Sequence, residues 1–268
     1  MSSRTSCTRL LASAAVAALL ALSAAACSNI VPRETTGSVG AENAASLSPD
    51  QARRSLEAHG ARYRQNPNDP DAAIAYASEL RANGQRAQAV AVLEQASIRN
   101  PRNMSLLGAY GRALADAGQY QQALATLERA HTPDNPDWRI LNVQGAVLDQ
   151  MGRHADAQKH YAAALKIRPN EASVLSNLGL SYMLTKDLKN AEATLRRAAA
   201  QPNAGPKVRQ NLALVVGLQG RFDEAEKIAS ADLPESEAAA NVAYLRQMLA
   251  QKGDWKKMGR AYGPTPGS

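Results

Sequence analysis

The feature that most limits what this chain can fold into is a period of 34 residues. Ala89, Ala123, Ala157, Ala191 and Ala225 follow that step, and so do Gly84, Gly118, Gly152 and, two steps further on, Gly220. Two more small positions keep the register, with Ala77, Gly111, Gly145, Gly179 and Ala213 at one and Ala96, Ala130, Ala164 and Ala198 at the other. Large apolar residues recur at Leu80, Leu114, Leu148, Tyr182 and Val216, and again at Leu93, Leu127, Tyr161 and Leu195. Prolines close two units at Pro101 and Pro169 and fall one residue off register at Pro136 and Pro202. A fixed repeat of this length marks stacked supersecondary units, each able to bury its apolar face only against its neighbours.

Composition says what the units are made of. Aromatic residues are only 4% of the chain and phenylalanine occurs once, so the apolar content is largely Ala, Leu and Val. Strands draw on the β-branched and aromatic side chains that are scarce here, which points to closely packed helices and an all-α fold. Two antiparallel helices per unit account for every recurring position. Small residues at the crossing let the backbones approach to about 8–9 Å. A leucine in place of Gly179 would overpack that crossing by about 1–3 kcal/mol, more than the roughly 1 kcal/mol that a glycine costs a helix interior. The turn glycines supply the left-handed residue that ends the first helix. The fourth unit has Lys186 there, and its turn is expected to be slightly strained.

These residues resemble the tetratricopeptide repeat: an aromatic or Leu, then Leu-Gly, a large residue three later, Gly at the turn, and Ala, a large residue, Ala and Pro on the second helix. The resemblance implies a right-handed superhelical solenoid with five units, 70–103, 104–137, 138–171, 172–205 and 206–238. Residues 49–69 read as an N-terminal capping helix, with Leu56 and Tyr63 on one side and Pro67 stopping it. Residues 239–262 read as degenerate capping helices: Ser236 to Lys252 and Asp254 to Ala261 resemble a sixth pair turning at Gly253, with residues 263–268 as a tail. Terminal units with a polar outer face are what a solenoid needs at its ends.

The N-terminus follows a different plan. A polar start with Arg4 and Arg9 and no acid leads into LLASAAVAALLALSAAA, the arrangement of a secretory signal peptide over residues 1–26. A transmembrane anchor fits less well, because spanning hydrocarbon takes about 20 strongly apolar residues and this run is short and half alanine. Cys7 falls in the leader, which leaves Cys27 as the lone thiol of the mature chain, a liability in an oxidising compartment. The stretch Ala24-Ala25-Ala26-Cys27 resembles the lipobox of bacterial lipoproteins, in which cleavage makes the cysteine the acylated first residue. Ala24 departs from the usual leucine, and ordinary cleavage after an Ala-x-Ala is the alternative. Ser28, where an aspartate would retain the protein in the inner membrane, implies the outer membrane and its periplasmic face. The polar residues that follow, to residue 48, read as a flexible tether with a reach of roughly 25 Å.

No catalytic constellation is visible, and an enzyme is not expected. His154 and His160 are six apart and share no helix face for a metal, and no mature cysteine joins them. His59 and His131 lie near helix ends. There is no Gly-rich phosphate loop, no Gly-x-Ser-x-Gly and no carboxylate pair in an apolar setting. Net charge is +7, or +5 without the leader arginines, and the basic residues are scattered doublets with no interleaved aromatics, so nucleic acid is not the expected partner. No cofactor is implied.

What the resemblance implies is a concave groove lined by the first helix of each unit, where the family's ligand contacts concentrate. Carried onto this chain, the first three units present a mixed polar set that includes Arg81, Arg112, Asp116, Arg139, Asn142 and Asp149. The fourth and fifth present Asn177, Leu180, Met183, Leu184, Asn211, Leu214 and Leu218, so the groove changes from polar to apolar along its length. Each of these residues also has a plain reading, as part of the repeat pattern or covered by a neighbouring unit or the C-terminal cap.

The runs TPDNPDWRILNVQGAVLDQMGRHADAQKHYAAAL and VRQNLALVVGLQGRFDEAEKIASADLPESEAAANVAYLRQML closely resemble the TadD family, the repeat lipoproteins of Tad (tight adherence, Flp) pilus assembly. That resemblance spans roughly residues 67–249. It implies an outer-membrane lipoprotein, held by its lipid anchor, that binds a secretin or other pilus assembly components and supports the secretin in the manner of a pilotin. The residues themselves reach only a periplasmic helical binding scaffold. A scaffold for envelope-building or division enzymes, and a soluble periplasmic chaperone if Cys27 is not acylated, stand beside it.

Overall fold

The computed structural model describes residues 48–262, of which 252–262 as backbone only. The leader, Cys27, all but the last residue of the expected tether and the tail 263–268 lie outside the described residues. Among the described residues the chain is all-helical apart from one isolated bridge between Thr132 and Asn135. A first helix, α1 (Pro49–Gln65), precedes five pairs: α2 (Pro70–Ala82) with α3 (Arg86–Arg99), α4 (Met104–Asp116) with α5 (Tyr120–Glu128), α6 (Trp138–Gln150) with α7 (His154–Ile167), α8 (Ala172–Leu184) with α9 (Leu188–Ala199), and α10 (Pro206–Leu218) with α11 (Phe222–Ala229). The chain ends in α12 (Glu235–Tyr262).

The corner inside each pair is the same corner five times. Gly84, Gly118, Gly152 and Gly220 sit at φ between +74° and +84°, the left-handed region that glycine enters without a steric cost. Each corner closes in the same way: the residue after the glycine donates its N–H five residues back, Gln85 to Leu80, Gln119 to Leu114 and Arg153 to Leu148, at 2.8–2.9 Å. That bond satisfies a carbonyl the helix end would otherwise orphan. Lys186 takes the corner of the fourth pair at φ +65°, and Asp187 still donates to Tyr182 at 2.9 Å. The strain expected from the sequence is therefore present at that lysine, since an L side chain in this region costs about 1–2 kcal/mol.

The crossings bear out the small-against-large reading. A methyl built on Gly111 would come within 2.5 Å of Leu127, one on Gly145 within 2.5 Å of the Tyr161 ring, and one on Gly179 within 2.6 Å of Leu195. Leu93, Leu127, Tyr161 and Leu195 are all fully buried, with the registered alanines Ala89, Ala123, Ala157 and Ala191 buried beside them. Leu56 and Tyr63 of α1 pack onto the core of the first units, as a capping helix should. The C-terminus differs from the expected pair: α12 runs as one helix through Gly253. The 34-residue step from Gly220 falls on Asp254, so Gly253 is one residue out of the register that the other corner glycines keep. Continuing the backbone bonds through the glycine then costs only its propensity, about 1 kcal/mol.

The first helices form the inner wall. Among the described residues α2 touches α4, α4 touches α6, α6 touches α8 and α8 touches α10, whereas no second helix touches the next second helix. A stack whose first helices meet while its second helices splay apart is concave on the first-helix side. One step is irregular. Helix α5 is only 9 residues long, and the segment after it turns through the Thr132–Asn135 bridge instead of continuing the helix. In this segment His131 Nδ1, and in the following α6 Gln144 Oε1, are buried without a hydrogen-bond partner.

Candidate functional site: the concave face

Every groove residue picked out from the sequence lies on a first helix: Arg112 on α4, Arg139 and Asn142 on α6, Asn177, Leu180, Met183 and Leu184 on α8, and Asn211, Leu214 and Leu218 on α10. What they do there differs. Two amides join units to one another: Asn177 Nδ2 donates to Asn142 Oδ1 at 3.0 Å, and Asn211 Nδ2 donates to Ser176 Oγ at 3.0 Å. Each bond spans 35 residues, from the fifth position of one unit to the sixth of the next. Asn142 is 1% exposed, and its Nδ2 is left without a partner.

Further along the same helices a second polar row links the units. Arg81 Nε donates to Asp116 Oδ2 at 2.6 Å between the first two units. In the third unit Asp149 gathers three donors: His154 Nδ1 at 2.8 Å, the Tyr161 hydroxyl at 3.0 Å and, from the fourth unit, Ser181 Oγ at 2.8 Å. Burial, and then the Asp149 carboxylate it donates to, push the Tyr161 phenol well above its ordinary range, which keeps it a donor. Ser181 and the Tyr161 hydroxyl were not among the groove residues read from the sequence, because both positions look like ordinary core positions there. His160 Nδ1 donates to the Asp156 carbonyl at 2.9 Å, so the two histidines serve different partners. Among the described residues no three metal-ligating side chains gather, and no helix is long and apolar enough to cross a membrane.

Arg112 stands apart from this network. It is half-buried, its Nε is buried with no hydrogen-bond partner, and it forms no ion pair among the described residues. Burial lowers its pKa from the usual guanidinium value, and the charge of Arg81 adds to that; Asp116 and Asp137 act in the opposite sense without closing on it. Its neighbour Asp137 is engaged in capping α6, accepting from the Arg139 N–H at 2.7 Å. The Arg139 guanidinium lies exposed, 4.7 Å over the Trp138 ring.

The fourth and fifth units carry the apolar half. Leu180, Leu214 and Leu218 are partly exposed and Leu184 is 50% exposed. Met183, by contrast, packs against the core of the fourth and fifth units. Helix α12 covers α10 and α11, with Leu245 set over Gly217, and still leaves these leucines open to solvent.

A stack of antiparallel helix pairs with a concave wall of amides, arginines and leucines is a helical-repeat solenoid, an architecture consistent with binding other proteins. A tetratricopeptide repeat family model matches residues 143–206 and a model described as anaphase-promoting complex, cyclosome, subunit 3 matches residues 52–130, and the fold is that of stacked tetratricopeptide repeats. No curated protein matches it. Among solved structures it is similar to PilW, a widely conserved type IV pilus biogenesis factor, at 16% identity over 72% of this chain and 91% of that one with a TM-score of 0.64. It is also similar to TTC0263, a tetratricopeptide-repeat protein of Thermus thermophilus, at 22% identity over 67% and 100% of the two chains with a TM-score of 0.58. The Cut9–Hcn1 hetero-tetramer of the APC/C matches at 13% identity over 74% of this chain with a TM-score of 0.59, and the match spans only 40% of that chain's length. At these identities the likeness is one of fold.

Proposed function

We propose that this protein is a lipid-anchored periplasmic scaffold of Tad pilus assembly, held at the outer membrane through Cys27, that binds a partner protein along its concave face. The partner on this reading is the pilus secretin or another assembly component, which the scaffold supports as a pilotin does, without catalysis of its own. The observation that carries the binding role is the open apolar stretch Leu180, Leu214 and Leu218 beside the amides Asn177 and Asn211. Apolar side chains flanked by amides accept the side chains and the backbone of a peptide together. The pilus assignment rests on the sequence resemblance over residues 67–249; PilW, a pilus biogenesis factor, supports it only to the extent that a repeat solenoid of the same fold serves such a process.

The test has two arms. In the first, Leu180→Glu with Leu214→Glu abolishes co-purification with the secretin while the circular dichroism spectrum stays helical; retained co-purification by a folded variant overturns the groove reading. In the second, Cys27→Ser moves the protein to the soluble periplasm or leaves it as an unprocessed precursor, and mass spectrometry of the wild-type N-terminus finds an acylated cysteine. A mature terminus that is unmodified and does not begin at Cys27 overturns the anchor. Several acyl chains on one cysteine amount to a lasting anchor, since each buried CH₂ adds about 0.8 kcal/mol.

A further inference from the structure

Helix α12 carries two rows of apolar residues, and the solenoid uses only one of them. Ala238, Val242 and Leu245 are buried against α10 and α11, and Leu249 after them is half-buried. The second row starts beside the first at Tyr244 and Met248, which share a helix face and are 65% and 45% exposed. The helix continues to Tyr262. Steps of four and three from Tyr244 run through Met248, Gln251, Trp255, Met258 and Tyr262, the spacing that keeps to one face. Charge is segregated along the same helix: its first turn holds Glu235 and Glu237, whereas the stretch after Met248 has Lys252, Lys256, Lys257 and Arg260 against Asp254 alone. At the helical pitch these four cations fall to one side of the second row.

We propose that the C-terminal part of α12 is an interfacial helix that lies on an anionic phospholipid surface, with the row from Tyr244 to Tyr262 at the boundary of the acyl chains and the three lysines and Arg260 among the headgroup phosphates. An amphipathic helix with Trp, Tyr and Met along one face and Lys and Arg beside it suits that boundary. Its rings place apolar area at headgroup depth, and the negative surface potential attracts each cation near it. Such a helix lies in the interface and does not cross it; among the described residues no helix is long and apolar enough to cross a membrane. A second copy of α12 fits the row less well. The row ends within three heptads and includes Gln251, where a coiled coil sustains about three to four, and a parallel pair would bring the cations of the two copies together. The contact depends neither on acylation of Cys27 nor on the concave face, and it gives the solenoid a hold on the bilayer at the end opposite α1.

The test uses the full chain with Cys27→Ser, so that no acyl chain holds it, and Trp138→Phe, which leaves Trp255 as the sole tryptophan. The protein is mixed at low salt with vesicles of phosphatidylcholine alone or with about one third phosphatidylglycerol. Trp255 emission shifts to the blue and is quenched by brominated acyl chains in the anionic vesicles only, and both effects fade at high salt. Lys256→Glu with Lys257→Glu, and separately Tyr244→Ser with Met248→Ser, each weaken binding at least about tenfold while the melting temperature is kept. Emission that neither vesicle moves, equal quenching with and without phosphatidylglycerol, or charge reversal without effect overturns the inference. A blue shift that needs no lipid and grows with protein concentration also overturns it, and marks α12 as a seam between two copies. Neither Cys27 nor the groove leucines enter these measurements, so failure here leaves the anchor and groove readings standing.

Discussion

The Tyr161 hydroxyl donates to Asp149 at 3.0 Å, and the same carboxylate accepts from Ser181 of the following unit, so one side chain ties the third repeat to itself and to the fourth. Removing it takes a partner from His154 and strands two buried groups, a hydroxyl in the core of the third unit and a serine that is fully buried. Asp149→Ala is expected to destabilise the protein by about 2–4 kcal/mol, whereas Tyr161→Phe and Ser181→Ala each cost about 1 kcal/mol because they remove only one donor. Urea denaturation of the three variants checks the order.

Overpacking of the fourth crossing is the next expectation. A methyl on Gly179 already meets Leu195 at 2.6 Å and the Ala191 carbonyl at 3.2 Å. Gly179→Leu and Ala191→Leu should each lose about 1–3 kcal/mol, with helical content retained. Melting curves matching wild type would show that the crossing lies elsewhere.

The corner at Lys186 offers a gain. Lys186→Gly puts the residue that the other four corners use into a left-handed φ of +65° and should raise stability by about 0.5–1 kcal/mol, while Gly152→Lys should lower it by a similar amount. Thermal melts of the pair read opposite signs if the corner geometry is right.

Acid should loosen the junction of the fourth and fifth units. Glu192 on α9 accepts from Arg221, from Gln219 at 2.8 Å and from Arg196 at 2.9 Å. The bond from Arg221, the largest influence, and those from the other two donors hold its carboxyl down to about 2 from the usual 4.5. A carboxyl whose pKa is lower in the folded state stabilises the fold fully above its unfolded value, and that contribution is lost as pH falls through the folded one. Wild type should therefore exceed Glu192→Gln by about 1 kcal/mol at neutral pH in low salt. The difference should fade between about pH 5 and pH 2, as chemical denaturation across that range would measure.

The helix pairs from α2 to α11 were legible because a 34-residue register writes each packing position several times over. Gly145 and Tyr161, or Gly179 and Leu195, meet as their spacing says they must. The single long α12 was not legible, since Gly253 carries the letter of a turn but stands one residue off the 34-residue register of the other corners. On the concave face, position could be read but not commitment. Asn142, Asn177 and Arg112 occupy comparable inner-wall positions, yet two of them bond each other across units and the third finds nothing opposite. Which of these happens depends on what a neighbouring unit places across the gap, and that is a fact of three-dimensional stacking. The leader and Cys27 remain a reading of sequence alone.

A solenoid responds to force as springs joined end to end, so its compliance is concentrated at the softest joint. Here that joint falls between the second and third units, where α5 stops after 9 residues and His131 Nδ1 and Gln144 Oε1 lie buried and unpaired. Arg112 lies on one side of this joint and the leucines of the fourth and fifth units on the other. Bending there would change the distance between Arg112 and those leucines while leaving the packing within each half as it is, so a scaffold of this kind could adjust the two ends of its groove to one another without repacking a repeat.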